Sequence, residues 1–188
     1  MARQRQTDRD TILAAALSIA DERGLDALTM RAVADRVGVT PMALYRYVGG
    51  KSQLLDGVVE RLLLEVTLPA GRLSWREQLA KMTGSLRSTA RRHPEVFPLL
   101  MQRPAATEAA KRVRDAVYAT LRSAGVAVDE VPRVERILST FVIGFAASEA
   151  GGRFTVGRRA LDGDLAWFGE HFLAAIESAG ADQEESGQ

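Results

Sequence analysis

Between Thr29 and Lys51 the chain gathers hydroxyl, phenol and cationic side chains at short spacing: Thr29, Arg31, Thr40, Tyr45, Arg46, Tyr47 and Lys51. None is a nucleophile set beside a base. What they share is the ability to donate hydrogen bonds, and Arg31, Arg46 and Lys51 add charge. Donors of this kind suit the anionic oxygens of phosphates and the polar edges of bases.

Two short helices are needed to present them. Thr29 suits an N-cap, with its hydroxyl accepting from the free N–H groups of a first turn. Behind it Met30, Val33, Ala34 and Val37 recur at helical spacing. Gly38 ends that helix, because the left-handed residue at a helix C-terminus favours glycine, and Val39 plugs the angle that follows. Thr40 caps a second helix, and Pro41 takes its first position, where a missing N–H costs nothing. Ala43, Leu44 and Val48 give this helix an inward side, leaving Tyr45, Arg46 and Tyr47 outward. Two short helices joined by a tight glycine-containing turn form a helix-turn-helix. In that motif the start of the second helix enters the major groove of DNA. Lys51 follows near the N-terminus of the next helix, within reach of the DNA backbone.

The stretch resembles the TetR family of bacterial transcriptional repressors (TetR/AcrR type). The matching residues are Leu28-Thr29-Met30-Arg31, Ala34, Gly38-Val39, Leu44-Tyr45, Val48, Lys51 and Leu54-Leu55-Asp56. The spacing from Gly38 through Leu44-Tyr45 to Lys51 is the most specific part, and the likeness runs from about Thr7 to Val66. The resemblance implies a homodimer of the bacterial cytoplasm, associated with the nucleoid. Its N-terminal domain would bind a double-stranded DNA operator and its C-terminal domain a small effector. By position, Thr29, Arg31, Thr40, Pro41, Met42, Tyr45, Tyr47 and Lys51 would face DNA. Met42 and Ala43 depart from expectation, since they bring no polar group to the start of the recognition helix. That shifts base readout toward thymine methyls, or toward Arg46 and Arg31.

Composition sets outer bounds. A chain of 188 residues makes one to two small domains. With 46% apolar and 26% charged residues it has an ordinary globular composition. It contains no cysteine, which excludes disulfides, thiolate metal sites and thiol chemistry and fits a cytoplasmic protein. Met1 to Arg9 is polar and lacks the apolar core of a signal peptide. The longest apolar run, Phe141 to Ala147, is far too short to span a membrane. The net charge is only +1 overall, and +2 between Met1 and Lys51, so attraction for phosphates must come from how charge is distributed. Arg3 and Arg5 lie in an N-terminal arm of a kind that can reach a minor groove.

The whole chain reads as all-α, with about nine helices. Residues 1–50 form a three-helix DNA-binding domain with its motif at about 29–48. Its first helix starts at Thr7 or Asp8 and stops at Gly24, with Ile12, Leu13, Ala16, Leu17 and Ala20 as its buried stripe. A connecting helix is expected over 51–68, and a helical effector-binding and dimerisation domain over 74–180. Ser74 and Glu77 form a capping box at the start of the fifth helix, which His93-Pro94 ends. A short apolar helix from Glu95 to Gln102 contains Pro98 and is kinked. Further helices open at Pro104, Val131-Pro132 and Gly163-Asp164, the last ending near Ala179-Gly180. The acidic tail 181–188 is expected to be disordered.

The eighth helix is apolar most of the way round, and such a helix must be buried on most sides. A second copy of the chain is the simplest cover, through a two-fold interface of helices eight and nine. Ile137, Phe141, Trp167, Phe168, Phe172 and Ile176 are its candidate residues. A cavity among helices five to eight would take the effector. Its candidate lining is Met82, Leu86, Phe97, Leu100, Met101, Val117, Tyr118, Leu121, Phe141 and Phe145. Methionines and aromatics adapt to ligand shape, which points to an apolar or aromatic effector. Arg87, Arg91 and His93 are candidates for a polar end, with the two arginines expected to be solvated.

No feature carries catalysis. The two histidines, His93 and His171, have no metal-ligand partner at helical spacing, and there is no G-x-S-x-G elbow. Glu149 and Asp115 are the only carboxylates singled out as a candidate pair. Gly50-Lys51-Ser52 resembles the end of a phosphate-binding loop, but Tyr45 stands where that loop needs glycine and the preceding segment is helical. No cofactor and no metal are expected. The motif would serve an activator or a ligand-independent regulator equally well, and a helical carrier or enzyme is the remote alternative.

Overall fold

The computed structural model describes residues 8–103 and 106–186, and for 173 and 177–186 the backbone alone. Among the described residues there are nine α-helices and no strand: α1 Arg9–Arg23, α2 Met30–Val37, α3 Pro41–Val48, α4 Lys51–Leu64, α5 Trp75–Arg92, α6 Leu99–Gln102, α7 Glu108–Ser123, α8 Val131–Ala150 and α9 Arg158–Ser186. None of the described helices is long and apolar enough to cross a membrane.

Local chemistry sets the starts. Asp8 Oδ1 accepts from the Thr11 N–H at 2.7 Å and caps α1. Thr29 and Thr40 cap α2 and α3, accepting from Ala32 at 3.1 Å and Ala43 at 3.2 Å. Gly38 takes the left-handed conformation, φ 75° and ψ 34°, and its N–H returns to the Ala34 carbonyl. Ser74 and Glu77 form the expected reciprocal box at α5.

α1, α2 and α3 close on a core of Ile12, Leu13, Leu28, Val33, Leu44 and Val48. Each fully buried leucine here contributes roughly 1.5–3 kcal/mol. α4 completes that core with Leu54 and Val58. It also lies against α1 at Gly57, where a Cβ would collide with Leu13 Cδ2. The same apolar cluster continues without a break into Val96, Leu99 and Ala109. The N-terminal helices and the larger helical domain therefore share one core along α4.

In the larger domain α5, α7 and α8 pack on one another, and α6 sits against α4 and α8. α8 buries Val131, Leu138, Val142 and Ala146. α9 joins α8 through stacked rings, with Phe168 lying 3.5 Å from Phe141 and 5.4 Å from Phe172 between centroids. Arg87 of α5 ties this end together, donating to both carboxylate oxygens of Glu149 on α8 and to Asp162 Oδ1 on α9 at 2.5 Å.

Several boundaries differ from the sequence reading. α4 stops at Leu64 rather than Leu68, because the Glu65 and Val66 N–H groups fold back to Leu62 and Leu63 and turn Val66 into the core. α6 is only four residues long and follows a run of turns ending at Pro98. α7 starts on Thr107, whose hydroxyl accepts from the Ala110 N–H at 3.2 Å; Pro104 lies outside the described residues. α9 begins at Arg158 and runs on to Ser186. A glycine inside a helix costs only about 1 kcal/mol, so Gly163 and Gly180 do not bound it. Helical backbone therefore includes 181–186 of the expected tail, while 187–188 and the Arg3–Arg5 arm lie outside the described residues.

Candidate nucleic-acid interface and ligand cavity

The recognition helix is held from behind and open in front. Leu44 and Val48, four residues apart, are buried at 0% and 5% exposure. On the opposite side Met42 is 78% exposed, Tyr45 46% and Tyr47 44%. Pro41, Arg46 and Lys51 are exposed as well. Among the described residues Tyr45, Arg46, Tyr47 and Lys51 make no ion pair or side-chain hydrogen bond. The caps leave the Thr29 and Thr40 hydroxyl protons available, since each oxygen accepts one bond and can still donate. The N-terminal end of α3 adds the positive end of its helix dipole to this face.

Neighbouring charges are partly committed. Arg31 lies 3.9 Å from Asp35, and both are highly exposed, so the contact is weak. Arg36 is a structural residue that bonds Glu22 at 2.8 Å and Ser18 at 3.2 Å, joining α2 to α1. Hydrogen bonds from Arg36, then Ser18, hold the Glu22 carboxyl well below its ordinary 4.5, at about 2. All the residues expected to face DNA are exposed, from Thr29 and Arg31 through α3 to Lys51.

The second feature is a cavity of about 520 Å³ bounded by α4, α5, α6, α7 and α8. Its size falls in the range of small-molecule sites. Met82, Leu86, Leu100, Met101 and Val117 line it, as the sequence suggests. The other five candidates lie outside its wall. Phe97 is fully buried against Ala90 and Ala146, whose small side chains make room for its ring. Leu121 is fully buried and Tyr118 half-buried in the core with Leu79 and Val131. Phe141 turns to Phe168, and Phe145 to Phe154 at 5.3 Å.

Sequence reasoning missed the polar part of the wall, which is Thr83, Arg114, Glu135, Ser139 and Thr140. Glu135 and Ser139 interrupt the apolar α8 four residues apart, and that helical spacing was the available signal. The expected polar-end candidates are engaged elsewhere. Arg87 is not solvated, its side chain being 12% exposed, and Arg91 lies 3.8 Å from the same Glu149. His93 meets Asp21 and Glu65. With Glu149 on Arg87 and Asp115 exposed on α7, the two carboxylates do not form a pair. Among the described residues no group of three or more acidic or histidine side chains is placed to hold a metal.

The interface candidates divide by exposure. Ile137 and Trp167 are 55% and 61% exposed, Phe141, Phe168 and Phe172 are half-buried, and Ile176 is buried within its own chain.

Comparison with known proteins agrees with both halves of this arrangement. The family model described as "Bacterial regulatory proteins, tetR family" matches residues 12–58, and that described as "Tetracyclin repressor-like, C-terminal domain" matches 68–167. The HTH-type transcriptional repressor DrrR1 of Streptomyces coeruleorubidus is 34% identical over 74% of this chain. The aligned part spans 53% of that curated relative's length, about half. Among solved structures, ActR of Streptomyces coelicolor in complex with (S)-DNPA superposes with a TM-score of 0.81 at 25% identity, covering 92% of this chain and 98% of that one. BioQ with its natural double-stranded DNA operator superposes with a TM-score of 0.77 at 26% identity, covering 92% and 99%. An exposed helix-turn-helix and a helical domain around a cavity, each matched by its own family model, place the chain in the TetR family of bacterial regulatory proteins, a family of regulators and not of enzymes.

Proposed function

We propose that this protein is a homodimeric transcriptional repressor of the bacterial nucleoid, which binds a palindromic operator through α3 and is released by a small, largely apolar effector. The observation that carries the reading is the outward face of α3. Met42, Tyr45, Arg46 and Tyr47 stand exposed on a helix fixed by buried Leu44 and Val48. A surface of donors with one apolar methyl-contacting residue suits phosphates and base edges. Thr29, Arg31, Thr40, Pro41 and Lys51 border that face and complete the DNA contact.

The cavity supports the effector. Its wall is mainly aliphatic, with Met82 and Met101 as its adaptable residues and Arg114, Glu135 and Ser139 as polar side chains on it. Exposed Ile137 and Trp167 support a second copy packed on α8 and α9. The operator complex of BioQ and the ligand complex of ActR are consistent with both roles.

Selection of bound sequences from a random duplex pool tests the reading. The expected result is an enriched palindrome whose half-sites are about one helical turn apart. No enrichment at low salt, where electrostatic binding is strongest, would overturn it.

A further inference from the structure

Glu135 of α8 is a half-buried carboxylate on the wall of the cavity, a wall it shares with Leu79, Val117, Leu138 and Val142. Among the described residues it makes no ion pair and no side-chain hydrogen bond. Its own helix supplies no basic partner, because the positions one turn away are Val131, Pro132, Leu138 and Ser139. Arg133, two residues before it, is held by Glu130 at 2.8 Å. Arg114, which also lines the cavity, has a partner of its own. A carboxylate drawn partly out of water without a partner costs the folded chain stability. The wall adds hydroxyls to this carboxylate. Ser139 stands one turn further along α8, its hydroxyl making only a long contact of 3.4 Å to the Arg136 carbonyl, and Thr83 comes from α5.

We propose that the effector is an organic cation, an apolar body carrying a protonated amine, and that Glu135 is the residue that selects it. This deepens the effector reading given above and rests on it. The aliphatic wall takes the body of such a molecule, and Met82 and Met101 adapt to its shape. An ammonium group has three N–H donors and no acceptor, while an ionised carboxylate only accepts. Their bond is charge-assisted, and stronger than one from a neutral hydroxyl. The hydroxyl oxygens of Ser139 and Thr83 are further acceptors on the same wall. An anionic effector would meet Glu135 as a like charge where water screens the repulsion poorly, and Arg114 is already committed. A wholly apolar effector would cover the carboxylate and leave it unpaired, at the full cost of its desolvation. Only the cation removes that cost, and a wall built around a polar partner rejects analogues that lack it.

The test titrates octylamine, 1-octanol and octanoate into the full chain at neutral pH by isothermal calorimetry. The three probes share one apolar chain and differ in a cationic, neutral or anionic head. The expected result is that octylamine binds about tenfold or more tightly than either of the others. In Glu135→Gln that preference should fall to about threefold or less, with affinity for octanol nearly unchanged. Glu135→Leu is the second variant should the first not fold. Melted without probe, both variants should reach the Tm of the wild-type chain or exceed it, which removal of a carboxylate serving the fold would not allow. Equal affinity for octylamine and octanol, a preference for octanoate, or an amine preference that survives in both variants overturns the proposal. So does the absence of octylamine binding at millimolar concentration. Each of these failures leaves operator selection, measured without probe, where it stands. Octylamine that binds through Glu135 yet leaves the selected duplex bound overturns the effector reading beneath and keeps the cation site.

Discussion

His93 Nδ1 lies 2.8 Å from Asp21 Oδ2, and Nε2 of the same ring lies 3.1 Å from Glu65 Oε2. One imidazole thus joins α1, the end of α4 and the end of α5. Ionised carboxylates only accept, so the ring satisfies both contacts when both nitrogens carry hydrogen. Replacing His93 by Ala should cost about 2 kcal/mol, in the range of hydrogen bonds to charged groups. For a chain of this length that lowers Tm by roughly 4–8 °C. Thermal unfolding measures it, and an unchanged Tm would show that the joint is not needed for stability.

The Glu22–Arg36 bridge predicts an acid dependence. The folded carboxyl titrates at about 2, below its ordinary 4.5. A lowered value means that the unfolded chain binds more protons, so stability rises with pH across this window. The contribution is therefore complete above 4.5 and disappears as pH falls through about 2. The difference in Tm between the wild-type chain and Glu22→Gln should shrink as the pH is lowered through that range. A difference that stays constant would assign Glu22 a packing role instead.

On α3, Tyr45→Ala and Lys51→Ala should weaken binding to all duplexes alike, and Lys51→Ala should reduce the salt slope by about 1. Arg46→Ala should relax base preference at one position by about 1–3 kcal/mol, and Met42→Ala should do so at a thymine. Binding isotherms on selected and scrambled duplexes across a salt series separate the two effects. An unchanged selected site would remove Arg46 and Met42 from base readout.

Exposed and half-buried interface candidates should behave differently. Trp167→Glu and Ile137→Glu alter surface residues and should give a folded monomer, losing about 2 kcal/mol of association or more if they are hot spots. Phe141→Glu breaks the Phe141–Phe168 stack within the chain and should destabilise the fold itself. Sedimentation equilibrium beside circular dichroism distinguishes these results; an intact Trp167→Glu, Ile137→Glu dimer would move the interface elsewhere.

Arg87→Ala leaves the Glu149 carboxylate, 7% exposed, without its bidentate partner. The expected loss is about 3 kcal/mol, at the lower end for a broken buried pair because Asp162 faces solvent. The double variant Arg87→Leu, Glu149→Leu should recover most of it. Denaturant unfolding decides, and no recovery would show that the ion pair itself supplies the stability.

What the sequence revealed follows from the range of the forces involved. The caps at Thr29, Thr40 and Ser74, the turn at Gly38 and the inward pair Leu44 and Val48 depend on neighbours within one turn, and each was legible. The family followed from the same stretch. Tertiary partners were not legible: Arg87 and Glu149 are 62 residues apart, and nothing local to either tells that they meet. The same holds for Arg103 and Asp56. Apolar periodicity marks Phe97, Leu121 and Met82 alike as inward, but it does not tell a filled core from the wall of a cavity. Alanines 90 and 146, which receive Phe97, decide that from other helices.

Gly57, where α4 presses on Leu13 of α1, makes the forward half of α4 travel with the DNA-binding helices, while Leu63 belongs to the cavity wall. The helix therefore reaches from the DNA-binding helices to the cavity as one stiff rod. Fourteen residues at about 1.5 Å each give an arm of about 21 Å. A tilt of about 5° at one end shifts the other by about 2 Å. In a two-fold dimer both arms would swing, and the mismatch would double against half-sites only about 34 Å apart.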